Sequence, residues 1–320
     1  MTAGRDHAAE RLSLIVGMAS VVAAVVCFAL SFSIIKWPGV KGSVIAWWRL
    51  VVSAVLWWAL LVARRWRSGT PLPDRRAWRE VSPAALFFGL NISLLFLGVT
   101  KTSVAHSEFI AAMAPLILIP AGFAFFGEHP NWRALRWGVV SIVGLVIVLA
   151  NSPAGGVATL RGDLLVVGST IGFALYQLFY KRTRARGIQI WDFMSIVMTV
   201  GLVTATPVVL FTGADELWPL SVKAWASIVL LALLTGMVAH GLLYFAQRSV
   251  PISTISIIQA GQPSQSALWA WLLLGEAIAL AQVPGMILVT LGLVLVVYFS
   301  QRPVAAAAAA TRPTPDLPAR

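Results

Sequence analysis

Apolar residues in this chain do not alternate, nor do they mark one stripe of an otherwise polar helix; they run in long blocks. The blocks cover 14–35, 44–63, 83–100, 103–126, 137–150, 163–180, 191–212, 225–246, 252–274 and 280–299, with few charges inside any of them. A helix crossing a bilayer needs about 20 mostly apolar residues, within a range of roughly 17–25. Ten transmembrane helices are therefore predicted, the fifth being the shortest and extending back through Leu135 and Arg136. The first block is too long for a secretory leader and no small-residue cleavage site bounds it, so a retained helix is expected. The connections are short except for RRWRSGTPLPDRRAWREVS at 64–82. Residues 1–13 read as an N-terminal tail and 151–162 as an external linker. The stretch 300–320, with six consecutive alanines and then TRPTPDLPAR, reads as a disordered tail.

Composition removes the soluble alternatives. Apolar residues make up 59% of the chain and charged ones 11%, with a mean hydropathy of +0.85. Soluble domains carry about 25% charged residues, so a soluble enzyme is excluded. The net charge of +12 raises the question of a nucleic-acid partner, and the placement of the basic residues answers it. With a cytoplasmic N-terminus and ten alternating helices, 18 Lys and Arg fall on the cytoplasmic side and 5 outside, with Arg49 left inside a helix. Cytoplasmic loops of membrane proteins carry such an excess. The charge predicts a multi-pass protein of the cytoplasmic (inner) membrane with both termini inside, and no nucleic-acid partner. The single cysteine, Cys27, excludes an internal disulfide and a cysteine-based zinc site.

The two halves resemble each other. PLILIPAGFAFFGE at 115–128 and PSQSALWAWLLLGE at 263–276 share a Pro-x11-Gly-Glu spacing at an offset of 148, which Gly144 and Gly292 keep. FALSFSIIK at 28–36 matches FALYQLFYK at 173–181. Five helices per half put the second repeat, 163–299, upside down relative to the first, 14–150. Inverted repeats of this kind are a frequent architecture of secondary transporters, with the substrate bound near the midplane between them.

These residues, together with Arg49 in WWRLVVSAVL, make the chain similar to the drug/metabolite transporter superfamily, EamA type, over roughly 14–300. The resemblance implies ten helices in two inverted five-helix repeats around a cavity lined largely by helices 3, 4, 8 and 9. It also implies export of amino acids or related small metabolites, by proton antiport or facilitated exchange. One departure stands out: where many members carry small apolar residues early in helix 4, this chain reads AHSEFIAAMAP, with His106 and Glu108.

Ionisable residues inside a span are costly and mark function by default. Arg49 and Glu108 each lie about five residues from the same membrane face, at about 1.5 Å per residue. They are expected either to pair, or to divide the work: Arg49 holding a substrate carboxylate and Glu108 a coupling proton. Glu128 and Glu276 are expected to cap or lock neighbouring helix ends. Asn91, Gln259, Gln262, Ser266, His240 and Tyr244 are the expected substrate-binding residues. Gln259, Gln262 and Ser266 share one helix face, His240 and Tyr244 another, with Gly236 leaving room beside them. Interhelical hydrogen bonding without substrate contact is the alternative for each. Pro115 and Pro263, equivalent in the two repeats, are expected to mark gating bends. No H-E-x-x-H, P-loop or G-x-S-x-G motif occurs, so no catalytic residue, metal or cofactor is expected. The expectation is an all-α transporter in a lipid bilayer, monomer or homodimer, exporting a small polar molecule by alternating access, with protons as the candidate coupling ion. An intramembrane enzyme or a receptor-like binding protein is the alternative.

Overall fold

The computed structural model describes residues 2–69, 71–126, 132–153, 156–246, 250 and 252–310. Among them every regular element is helical: α1 (Thr2–Lys36), α2 (Gly42–Ser68), α3 (Arg75–Val99), α4 (Val104–Ala111), α5 (Ala114–Phe126), α6 (Trp132–Ala150) and α7 (Leu160–Ala185). The second half continues with α8 (Ile190–Thr212), α9 (Val222–Leu233), a π-helical turn at Leu234–Val238, α10 (Ala239–Ala246), α11 (Ile252–Gln259), α12 (Gln262–Leu274) and α13 (Val283–Ala310). Nine stretches among the described residues are long and apolar enough to cross a membrane, one of them, Val104–Gly122, spanning α4 and α5. The remaining block, 252–274, is present as α11 and α12, whose 8 and 13 residues are each too short to span.

Several helices outrun their apolar blocks. α2 and α3 reach into the basic connection, leaving only 69–74 between them. Gly69 ends α2 at φ 64, and Asp74 starts α3 by accepting the Ala77 amide at 2.8 Å. α13 runs to Ala310, through alanines expected to be irregular. Alanine is the strongest helix former, and extending an existing helix avoids the cost of nucleation. Residues 311–320 lie outside the described residues.

The two proline signals act at helix starts. The polypeptide breaks at Ala112–Met113 between α4 and α5, and at Ala260–Gly261 between α11 and α12, again 148 residues apart. Pro115 and Pro263 are the second residues of α5 and α12. Proline is tolerated in a first turn because its missing N–H would have no partner there. The bends expected at the prolines are thus helix breaks two residues earlier.

Helix contacts repeat the sequence symmetry. α3 packs on α7 as α1 packs on α10; α3 packs on α8 as α2 packs on α9; α4 packs on α7 as α11 packs on α1, and α5 packs on α7 as α12 packs on α1. α6 and α13, equivalent elements, pack on each other. A Cβ on Gly144 would lie 2.7 Å from the Gly285 carbonyl oxygen, and one on Gly292 would lie 3.0 Å from that of Trp137. Each repeat therefore supplies a glycine at the 148-residue offset where the other's backbone comes closest. Gly168 and Gly172 of α7 face Leu94 and Asn91 of α3, so this G-x-x-x-G serves packing inside the chain.

Outward faces are apolar. On α6, Val139, Ile142, Val143 and Val146 are all at least 48% exposed, a continuous lipid-facing stripe. Helix ends sort into two groups: Lys36, Thr102, Asp163 and Glu276 are linked to one another at one end. At the other, Arg65 pairs with Asp192, and Glu80 links Thr183 and Arg186. These are the groupings expected of alternating helices.

Candidate functional site

The chain breaks place polar groups where a continuous helix would hold only apolar ones. Glu108 lies one turn before the break in the first repeat, and Gln262 immediately follows the break in the second. The two meet: Gln262 Nε2 donates to both Glu108 carboxylate oxygens, at 3.2 and 3.3 Å, and Ser266 Oγ donates to Oε1 at 2.6 Å. Glu108 is 2% exposed and Ser266 is fully buried. No cation lies within ion-pair distance of Glu108 among the described residues. Burying a charge is costly unless it is paired. A carboxyl held only by neutral donors offers exchange of a proton, or of a cationic group on a ligand.

Arg49 does not meet Glu108. Its Nη2 donates to Thr235 Oγ1 at 3.0 Å, its guanidinium lies 5.4 Å from the Phe96 ring centre, and its buried Nε has no partner among the described residues. No carboxylate among the described residues pairs with it. The separation follows from helix rotation: α2 turns Arg49 toward the π-helical turn while α4 turns Glu108 toward α12. Thr235 sits in that turn, beside Gly236, where an added Cβ would meet only Ser53 Oγ at 3.8 Å.

The other expected residues divide. Asn91 spends its amide on Ser169 of α7, donating to the backbone carbonyl at 2.9 Å and to Oγ at 2.8 Å, which makes it a tie between α3 and α7. Gln259 ends α11 half-buried. The side chains of His240 and Tyr244, and all of Glu128, lie outside the described residues. Gln265 and Trp269 were not singled out together by the sequence, yet both carry a buried polar atom without a partner among the described residues, Oε1 and Nε1 respectively. They stand one turn apart on α12, and that i,i+4 spacing was the available signal.

One end of the bundle is held by charged contacts. Glu276, after α12, forms an ion pair with Lys36 at the end of α1, and accepts the Val104 amide at the start of α4 at 2.8 Å. Lys36 also donates to the Thr102 carbonyl at 2.7 Å. Glu276 thus joins three helix ends, as expected of it. Close by in sequence, His106 Nδ1 lies 3.1 Å from each oxygen of Asp163, and its Nε2 lies 2.6 Å from Ser152 Oγ. The order of contacts is that of a nucleophilic triad, but the imidazole is 2% exposed and Asp163 is also bonded by Thr102 Oγ1 at 2.6 Å. The arrangement braces α4, the end of α6 and the start of α7. Farther along this end, the hydrogen bond from Lys41 to Asp215, 2.6 Å, holds the Asp215 carboxyl below the usual range and pushes the Lys41 ammonium up.

The comparison that decides the family covers both repeats: the EamA-like transporter family model matches residues 15–150 and 160–298. The chain belongs to the EamA-like transporter family. This EamA protein is accordingly a multi-pass membrane transporter, and the two matched segments coincide with the two repeats. No curated protein matches the sequence. A solved structure described only as "Crystal structure of protein" matches the EamA fold with a TM-score of 0.59 at 16% identity, covering 92% of this chain and 99% of its own. At that identity the likeness concerns the fold alone.

Proposed function

We propose that this EamA protein moves a small zwitterionic metabolite, an amino acid or a close relative, outward across the cytoplasmic membrane by alternating access of its two repeats. Ten spans with both termini inside complete this reading, the ninth being broken into α11 and α12. The observation that carries it is Glu108, a buried carboxyl held by Gln262 and Ser266 at the paired helix breaks, with no cation within ion-pair distance among the described residues. Arg49, a buried cation whose Nε has no partner among them, supplies the opposite charge on another helix. A ligand carrying an ammonium and a carboxylate answers both groups, and a proton on Glu108 can take the place of the ammonium during return. Discontinuous helices near the midplane bind substrates and coupling ions in other secondary transporters. In this reading Gln259, His240 and Tyr244 line the path, and the breaks before Pro115 and Pro263 are the hinges.

Counterflow in proteoliposomes tests the proposal. Liposomes loaded with an unlabelled amino acid should accumulate the labelled one, and Glu108→Gln should abolish pH-gradient-driven movement while keeping exchange at reduced affinity, since glutamine can accept from the ammonium but not neutralise it. Unchanged gradient-driven movement in Glu108→Gln removes Glu108 as the proton site. Chemical conversion of the solute without vectorial movement would favour an intramembrane enzyme instead.

A further inference from the structure

The end of the bundle opposite Glu276 holds a cleft of about 500 Å³ between the start of α3 and the end of α7. Five arginines line it: Arg75, Arg76 and Arg79 from the first turns of α3, and Arg182 and Arg186 from the last turns of α7 and just beyond. All five are exposed. The one carboxylate in the lining, Glu80, is shared by Arg76 at 3.1 Å and Arg186 at 3.5 Å. Arg75, Arg79 and Arg182 have no ion-pair partner among the described residues. Three of these cations also crowd a helix N-terminus, where the backbone dipole already favours negative charge.

The adjoining cleft, about 420 Å³, is closer to balance: three arginines, two of them shared with the first cleft, meet Asp74 and Asp192, and Arg65 is paired with Asp192. The basic excess of this end is thus sharpest in the first cleft, where five arginines face one carboxylate. Positive-inside topology accounts for basic residues on this side, but not for their convergence from two helices on one cavity.

We infer that this arginine cleft is a binding site for a phosphate-bearing anion. Arginine forks match phosphate oxygens bidentately and hold them more strongly than neutral donors do. Two sources share that chemistry: the headgroup of an anionic phospholipid and a free phosphate. Basic pockets between membrane helices on the cytoplasmic side take lipid headgroups. Pro83, exposed, and Phe179, half-buried, continue the lining one turn deeper on each helix, an apolar exit suited to a lipid's glycerol and acyl portion. The site is independent of the transport chemistry at Glu108.

The test uses the full chain in a neutral detergent, with its unfolding temperature read by tryptophan fluorescence. Dioctanoyl phosphatidylglycerol, dioctanoyl phosphatidylcholine and inorganic phosphate are titrated separately. The expected result is a saturable rise with phosphatidylglycerol, a much weaker one with phosphatidylcholine, and a half-saturating concentration about tenfold or more higher in Arg79→Gln/Arg182→Gln. Arg67→Gln/Arg133→Gln removes the same charge from the same end outside the cleft and should leave the titration unchanged. A saturable rise with inorganic phosphate that Arg79→Gln/Arg182→Gln abolishes also supports the site and assigns it to free phosphate. No saturable rise with either anion, or equal losses in the two double variants, overturns the inference.

Discussion

Replacing Glu276 by glutamine should open the end of the bundle that its carboxylate now holds. In the structure one Glu276 oxygen meets Lys36 and the other accepts the Val104 amide at 2.8 Å, so a single side chain joins the ends of α1 and α12 to the start of α4. Glutamine keeps the amide contact through its carbonyl oxygen and loses the charge pairing. Hydrogen bonds to charged groups are worth about 1.5–3 kcal/mol. Both side chains are 13% exposed, so solvent screening trims the loss to about 2 kcal/mol. At 1.4 kcal/mol per factor of ten, the open-to-closed ratio rises about 30-fold. A cysteine at Ser107 reports the opening, because that position is fully buried one turn inside α4. In a Cys27→Ser background, Ser107→Cys should react slowly with a maleimide, and many-fold faster once Glu276→Gln is added. An unchanged labelling rate in monodisperse protein would refute the argument that this ion pair keeps the end closed.

Other outcomes follow from the same geometry. Gly285→Ala would set a Cβ 2.6 Å from the Gly144 carbonyl oxygen, backbone that cannot step aside. Forced separation of α6 and α13 should cost about 1–3 kcal/mol, seen as a lower unfolding temperature. Asn91→Ala should destabilise the protein by about 1–3 kcal/mol by leaving Ser169 groups unpaired, with substrate affinity unchanged. Gln262→Ala should instead change affinity in counterflow. The Asp215 carboxyl is depressed by Lys41, so its contribution to stability is present above about pH 3.9 and is lost as pH falls through its lower folded value. The raised Lys41 contributes below about pH 10.4 and loses that contribution as pH rises through its higher folded value. Neither moves between pH 5 and 8, and Asp215→Asn should leave the pH profile of transport in that window unchanged.

Much of the fold was legible because lipid allows so few solutions. A run of apolar residues in a bilayer must satisfy its own backbone groups, which makes a helix the only open-chain answer. Helix ends were less legible: α1 starts at Thr2 and α13 continues to Ala310, since propensity carries a helix beyond the lipid-facing block. The site was legible in part. Glu108, Gln262 and Ser266 were all singled out, but in two separate roles, and they form one cluster. Asp163 and Ser152 were missed because their partner, His106, is 57 and 46 residues away in sequence. Asp163 stands at the edge of a predicted span, and an ionisable residue there was the signal available.

Symmetry also ends at the chemistry. The 148-residue offset pairs the two breaks and the glycine crossings, yet it sets Ser256 opposite Glu108 and Leu118 opposite Ser266. From residue order alone came the segments that live in lipid, the ends that share a side, and the inverted relation of the halves. All of these depend on block length, charge and spacing. Which side chain Arg49 or Glu108 touches was decided only by packing. Successive residues on a helix turn by about 100°, so a small rotation of α2 or α4 redirects a side chain to a different neighbour without changing its depth. Depth is written in the sequence; azimuth is set when the helices meet.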